Sequence, residues 1–393
     1  MPHRQISRFL LLPELKLTGW TKVGLVTNLC EAKKLSKVEI CPKCATPSKS
    51  VYDTRKVRLK DQPIRGKQML LLVAKRRFYC KPCKKPFTEP LPGVKKGRRT
   101  TERYRRSVLW AAENFSDLKR VRREYRCSTW FVYEAVRESL KLNLKKKLNY
   151  AWPRTIGIDE HFVSRKRGFR EFATVIIDYP NKRPRELVLG RSSAELAEAL
   201  KEIPGRENVN YVALDLSDSY KSFVTSFFPN AQLVADKFHV LRLLNPHINR
   251  RRKSITGDVR SNPVRRLLLM NRRRLEYFKR LALDRWLEEN PELFEIYWWK
   301  ERLSSFYRIR KTGHAERVLT RMTDQMARSK LPEIKTLRRT LMKWRNEILN
   351  YFRTRLTNAR TEGFNNVAKL IQKRSYGVKS FEMYRLKYLN ATA

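Results

Sequence analysis

Three apolar runs in the middle of the chain each end on an aspartate: "TIGID" at Asp159, "VNYVALD" at Asp215 and "AQLVAD" at Asp236. Carboxylates gathered at one edge of a sheet repel one another unless a cation joins them, and hard oxygen ligands suit Mg²⁺ or Mn²⁺. The plain reading of one such aspartate is a helix cap, since Asp215 and Asp236 each precede a helical segment. Three in succession, in a chain with 38 Asp and Glu against 88 Lys and Arg, outweigh that reading. A further acid, Glu362, comes from "RLTNARTEGFNN", where Asn358 stands one helical turn before it and Asn365 and Asn366 one turn beyond. Alone, a glutamate on a basic amphipathic helix reads as a surface ion-pair partner.

A second constellation is made of thiols. "CPKC" (Cys41, Cys44) and "CKPC" (Cys80, Cys83) have the spacing that lets four thiolates meet around one tetrahedral Zn²⁺. The spacer reads as two strands, "SVYDTRKVRL" and "MLLLVAKRRFYC", about the turn "KDQPIRGK", which is the form of a zinc ribbon. Free thiols or two disulfides are the plainer alternatives, and the doubled spacing in so basic a chain favours structural zinc. Cys30 and Cys127 read as small buried hydrophobes.

The elements that must position these residues follow from changes of pattern. Residues 1–98 form the expected N-terminal zinc-ribbon domain. After "FTEPLPGVKKGRRTTERY" the pattern turns helical: "TTERYRRSVLWAAENF", "SDLKRVRREYRC" and "STWFVYEAVRESL" each carry Ser or Thr at or near the start, as N-caps require. Their lengths suit a helix-turn-helix over 99–142 with 128–139 as the recognition helix. Arg98, Arg99, Ser128, Thr129 and Tyr133 are its candidate DNA contacts. A basic linker, 143–153, ends at Pro153. From 154 to 244 the order β-β-β-α-β-α-β is that of an RNase H-like α/β core. Residues 245–354 read as an all-helical insertion rich in Arg, Trp and Tyr, and 355–393 return to the core with Glu362. Trp298 and Trp299 could stack on an unpaired base but read first as the core of that insertion. His314 and His247, the latter placed in a loop after Pro246, read as uninvolved. The expected fold class is multidomain α+β.

Composition sets the partner. The chain has 393 residues, a formal net charge of +50 and 41% hydrophobic residues, so it folds and must meet a polyanion, of which nucleic acid is the commonest. A membrane is the rival, yet no apolar run approaches 18 residues, and "MPHRQISRFLLLPELK" has neither a long apolar region nor a small-residue cleavage site. The expectation is a soluble cytoplasmic, nucleoid-associated protein with no membrane partner.

The two C-x-x-C pairs, "RRTT", "GIDE", "LDLSDSY", "PNAQLVADKFHV" and "TNARTEGFNN" followed by "KRSYG" together resemble the ISL3 family of prokaryotic transposases, a DDE group, over essentially the whole chain. The resemblance implies Asp159, Asp215 and Glu362 as the catalytic acids, holding Mg²⁺ or Mn²⁺. "DKFH" matches a (C/D)xxH signature, which gives Asp236 and His239 supporting places near the site, with Asn358 beside them. Asp236 competes with Asp215 for the second acidic place, and Asp218 is a weaker rival. The position of His161 is not a fixed histidine in the family pattern, and Ala45 stands where a glycine is common. The implied activity is binding of terminal inverted repeats, metal-dependent cleavage, and transfer of the cut strand to target DNA by a homodimer or higher oligomer. The alternatives are a transposase-derived sequence-specific DNA-binding protein that no longer cuts, which the three intact acids oppose, and an RNase H-like nuclease or resolvase.

Overall fold

The computed structural model describes residues 12, 14–114, 117–166, 169–257, 263–374 and 380–392. Its contacts separate into two compact units, 1–141 and 142–393.

The first unit begins with β1 (Leu15–Val23), β2 (Thr27–Lys34), the short β3 (Glu39–Ile40) and β4 (Pro47–Ser48), then β5 (Val51–Ile64), β6 (Lys67–Cys80) and β7 (Lys85–Thr88). The large sheet has the order β1-β2-β6-β5, with β7 on the end of β6 and β3-β4 as a separate pair. Leu15, Cys30, Leu59, Met69, Leu71 and Val73 form its core. Cys30 is therefore the buried hydrophobe expected, and burial pushes its thiol up to about 11. The β5–β6 hairpin is longer than its sequence suggests. "KDQPIRGK" is mostly strand, and the turn shrinks to Arg65 and Gly66, both at positive φ (49° and 73°), the backbone that tight hairpins need. Pro63 escapes the ladder because the register shifts between Asp61 and Ile64.

Three helices follow: α1 (Glu102–Asn114), α2 (Leu118–Tyr125) and α3 (Thr129–Lys147). Thr101 Oγ1 accepts the Tyr104 N–H at 3.1 Å, and Ser128 Oγ accepts that of Phe131 at 3.1 Å. Asp117 caps α2 through the Lys119 N–H at 2.8 Å, while Ser116 lies outside the described residues. Tyr104, Val108, Ala111, Val121, Tyr125 and Val132 pack them together. Because no Gly or Pro interrupts "KLNLKKK" and Leu144 is buried, α3 continues to Lys147. Nearly half of the expected linker is thus helix.

The second unit follows the anticipated element order: β8 (Thr155–Lys166), β9 (Phe169–Asp178), β10 (Arg183–Leu189), α4 (Ser193–Leu200), β11 (Tyr211–Leu214), α5 (Asp218–Phe227), β12 (Gln232–Ala235) and α6 (Lys237–Arg242). The sheet order is β10-β9-β8-β11-β12, antiparallel among the first three strands and parallel among the last three. One expectation is corrected. The strand does not end at Asp159: β9 pairs with β8 as far as Lys166, so Asp159 is mid-strand, and only its parallel neighbour stops there.

The helices that follow are α7 (Asn245–Thr256), α8 (Pro263–Leu269), α9 (Tyr277–Glu288), α10 (Pro291–Phe306), α11 (Thr312–Ala327), α12 (Pro332–Lys343) and α13 (Arg345–Thr354). His247 lies in the first turn of α7, not in a loop, and His314 is exposed on α11. Trp299 is buried, whereas Trp298 is 41% exposed with the Arg302 guanidinium over its ring. The core of these helices is continuous with that of the sheet. α13 packs on β12, where Asn350 Nδ2 donates to the Leu233 carbonyl at 2.9 Å. Last come α14 (Ala359–Arg374), on β8 and β9, and α15 (Phe381–Thr392), on β10. The end of the "KRSYG" motif lies outside the described residues. No helix among the described residues is long and apolar enough to cross a membrane.

Candidate active site and metal centre

The parallel half of the second sheet sets the acids level. Ala213 lies opposite Gly157 and Leu214 opposite Ala235, so one or two residues on, Asp215 falls in register with both Asp159 and Asp236. Each aspartate thus comes from one of three adjacent strands, at the line where β11 and β12 stop.

Their environments then separate them. Asp236 is 2% exposed and satisfied: Oδ1 accepts the Asn358 backbone N–H at 2.9 Å, and Oδ2 takes His239 Nδ1 at 2.9 Å and the His239 N–H at 3.3 Å. It is a helix cap and an anchor. Asp215 is different, because its Oδ1 is buried with no hydrogen-bond partner among the described residues. Burial raises its carboxyl above the ordinary value, and the charge on Glu160 adds to this. Burial likewise pushes Asp159 up to about 6, although its Oδ1 accepts the Glu160 N–H at 2.8 Å. His239 is held above its ordinary value, first by the hydrogen bond to Asp236, and its charge favours the ionised form of both Asp159 and Asp215.

α14 closes over this line by its polar face. Asn358 Nδ2 donates to the Ile158 carbonyl at 3.1 Å, and Thr361 bonds to the Asn358 side chain. Asn365 Nδ2 donates to Asp159 Oδ2 at 2.9 Å. The close approach depends on Gly157, where a Cβ would lie 2.5 Å from the Tyr179 ring, 2.8 Å from Thr361 Oγ1 and 3.0 Å from Asn358 Oδ1. Glu362 lies between Asn358 and Asn365 on the helix, exposed at the flank of the buried face. His161 has another use: Nε2 meets the Tyr384 hydroxyl at 2.8 Å, and burial holds its pKa near 4.

Asn365, Gly157 and Tyr179 were not among the expected site residues. The heptad-like spacing of Asn358 and Asn365 about Glu362 was the available signal for the first. Gly157 and Tyr179 had none.

In the first unit the thiols converge. Among the described residues, Cys41, Cys44, Cys80 and Cys83 form the one group of three or more His, Cys, Asp or Glu residues placed to hold a metal ion, with their ligand atoms within 4.8 Å of one another. Cys44 and Cys80 Sγ are 3.4 Å apart. Cys41 follows β3, Cys80 ends β6, and the residue after each C-x-x-C pair, Ala45 or Lys84, has positive φ (58° and 51°). The common glycine at position 45 would relieve that conformation, but alanine reaches it with the thiols still gathered.

Of the candidate DNA contacts, Arg99, Ser128 and Thr129 are exposed and Tyr133 is half-buried on α3. Arg98 is held by Glu138 at 2.7 Å and Glu102 at 3.0 Å, an ion-pair cluster inside the unit.

Residues 156–388 match the ISL3 family model described as "Transposase". The chain belongs to the ISL3 family of transposases. Residues 37–83 of this ISL3 chain match the ISL3 zinc-ribbon model, described as "zinc-finger of transposase IS204/IS1001/IS1096/IS1165". That match and the four converging cysteines support structural zinc. The transposase for insertion sequence element IS1001 from Bordetella parapertussis is 25% identical over 370 residues, covering 90% of this chain and 89% of the relative.

Proposed function

We propose that this chain is a DDE transposase that binds the terminal inverted repeats of its insertion sequence and carries out metal-dependent strand cleavage and strand transfer. The reading divides it into the zinc ribbon, a helix-turn-helix made by α1–α3, and an RNase H-like core that holds Asp159, Asp215 and Glu362. The observation that carries it is the buried, unpartnered Oδ1 of Asp215 in register with the raised carboxyl of Asp159. Two buried carboxylates with an orphan acceptor are a poor arrangement for a metal-free fold and an oxygen-only donor set suited to Mg²⁺ or Mn²⁺. Bound there, the ions would supply Lewis-acid stabilisation to the attacking and leaving oxygens of an in-line displacement at phosphorus.

The remaining work falls to the chain's own groups. Asn365 fixes the rotamer of Asp159, Asp236 anchors the first turn of α14 through the Asn358 N–H, and His239 places positive charge beside the two aspartates. Asp236 spends both oxygens on the protein, which favours Asp215 over it as ligand; Asp218 is paired with Lys343 at 2.5 Å. Glu362 completes the site from the helix. Duplex DNA, as terminal repeat and target, is the partner, and a dimer or higher assembly on the DNA brings two ends together.

Glu362→Gln tests the reading because it keeps the shape and removes the charge. Binding to terminal-repeat DNA persists, while cleavage with Mg²⁺ or Mn²⁺ falls by roughly a thousandfold or more, the signature of an interaction needed in the transition state. Wild-type cleavage by this variant would remove the third acid and the DDE reading with it.

A further inference from the structure

A cavity of about 950 Å³ opens between α8 and α9, away from the acids in sequence and unused by the mechanism. Leu267, Leu269, Met270 and Leu275 form its apolar part, and Arg265, Arg266, Arg274 and Lys279 its charged part. Its acid, Glu276, is already paired with Lys279 at 3.0 Å. Arg265, Arg266, Arg273 and Arg274 are exposed and have no ion-pair partner among the described residues. Their neighbours differ: Arg272 is paired with Asp284, Arg251 with Glu333 and Glu292, and Lys300 with Glu301. Four guanidinium groups within ten residues, uncompensated among the described residues, repel one another and are best relieved by a line of anions. Between the lining residues Glu276 and Lys279 stand Tyr277 and Phe278, 66% and 80% exposed, their rings edge to face with 5.5 Å between centroids.

We propose that the α8–α9 cleft and the exposed residues beside it bind single-stranded DNA, with Arg265, Arg266 and Arg274 in the cleft and Arg273 next to it on the phosphodiester backbone, and with Tyr277 and Phe278, which stand outside the cavity lining, against unpaired bases. Duplex DNA answers the arginines alone, since its bases are stacked in pairs and leave the apolar floor and both rings without a partner. A single strand answers all three features, because each base has an open face for an aromatic ring. The inference rests on the reading of the chain as one that acts on DNA, and it is independent of the carboxylates.

The test uses the full chain without added divalent metal, with fluorescence anisotropy of a labelled 15-nucleotide oligothymidylate and of a 15-base-pair duplex lacking the terminal repeat. Every substituted residue is exposed, and an unchanged melting temperature confirms folding. Tyr277→Ala/Phe278→Ala weakens single-strand binding by about tenfold or more and leaves the duplex within about twofold, because only unpaired bases stack. Arg265→Gln/Arg266→Gln/Arg273→Gln/Arg274→Gln weakens single-strand binding and makes its salt dependence shallower, by roughly 0.7 in the log–log slope for each phosphate no longer neutralised. Wild-type single-strand affinity in the aromatic variant, or an unchanged slope in the arginine variant, overturns the proposal. Equal losses on strand and duplex in the aromatic variant also overturn it. Normal cleavage by the Glu362→Gln variant would end the DDE reading and leave these outcomes as they stand.

Discussion

Asp159→Asn turns the buried acids into a measurable liability. Burial moves the Asp159 carboxyl from 3.8 to about 6. At about 1.4 kcal/mol per pH unit, its charged form is roughly 3 kcal/mol less favourable in the fold than in the unfolded chain. The sign follows from linkage. Below about 3.8 the group is protonated in both states and has no effect; between 3.8 and about 6 the folded state loses stability as pH rises; above about 6 the loss is complete. The asparagine variant has nothing to ionise. It keeps an acceptor for the Glu160 N–H, and the Asn365 amide can flip to offer its Oδ1, which is buried without a partner. In metal-free solution at pH 8 it should therefore melt higher than wild type, by roughly 2–4 °C for each kcal/mol removed, a rise on the order of 5 °C after relaxation of the site. At pH 4 most of the difference disappears. Saturating Mg²⁺ reverses the ranking, since a ligand at about 1,000 times its Kd adds roughly 4.1 kcal/mol to the form that binds it. Thermal denaturation by circular dichroism at pH 4 and pH 8, with and without Mg²⁺, reads all of this. A variant no more stable than wild type at pH 8 without metal, or an equal Mg²⁺ shift in both proteins, would refute the reasoning.

Gly157→Ala places a methyl group 2.5 Å from the Tyr179 ring and 2.8 Å from Thr361 Oγ1, so stability should fall by about 1–3 kcal/mol and cleavage should fall with it as α14 is pushed off β8; unchanged denaturation and cleavage would show the approach to be slack. Cys80→Ser should lower zinc from one ion per chain to well below one by metal analysis and destabilise the first unit, while the variant retaining full zinc would dismiss the four-thiolate site. Gly66→Val in the β5–β6 turn should cost about 1–2 kcal/mol in chemical denaturation, since φ of 73° is open to glycine and strained for a β-branched residue; no loss would mean that the hairpin re-forms with another turn.

The doubled C-x-x-C spacing, the three helices after residue 100 and the strand–helix order after residue 154 were legible because each rests on local rules: ligand spacing, capping and the period of apolar residues. Where those rules compete with long-range partners, the tertiary structure decided. Asp159 reads as a strand end because the apolar run stops there, yet β9 carries β8 on to Lys166. α3 runs into the expected linker because Leu144 finds a buried place, which periodicity over a few residues does not reveal. The three aspartates were visible singly, but their roles were not. Asp236 and Asp215 follow almost identical apolar runs, and they part because His239, one turn on, and Asn358, 122 residues further on, both bond to Asp236, while one oxygen of Asp215 has no hydrogen-bond partner among the described residues. Gly157 is likewise an ordinary strand residue until α14 lies against it. Residue types and local periodicity determine which groups are available, whereas burial and hydrogen-bond partners depend on segments hundreds of positions apart, and those set the charge each carboxylate can hold.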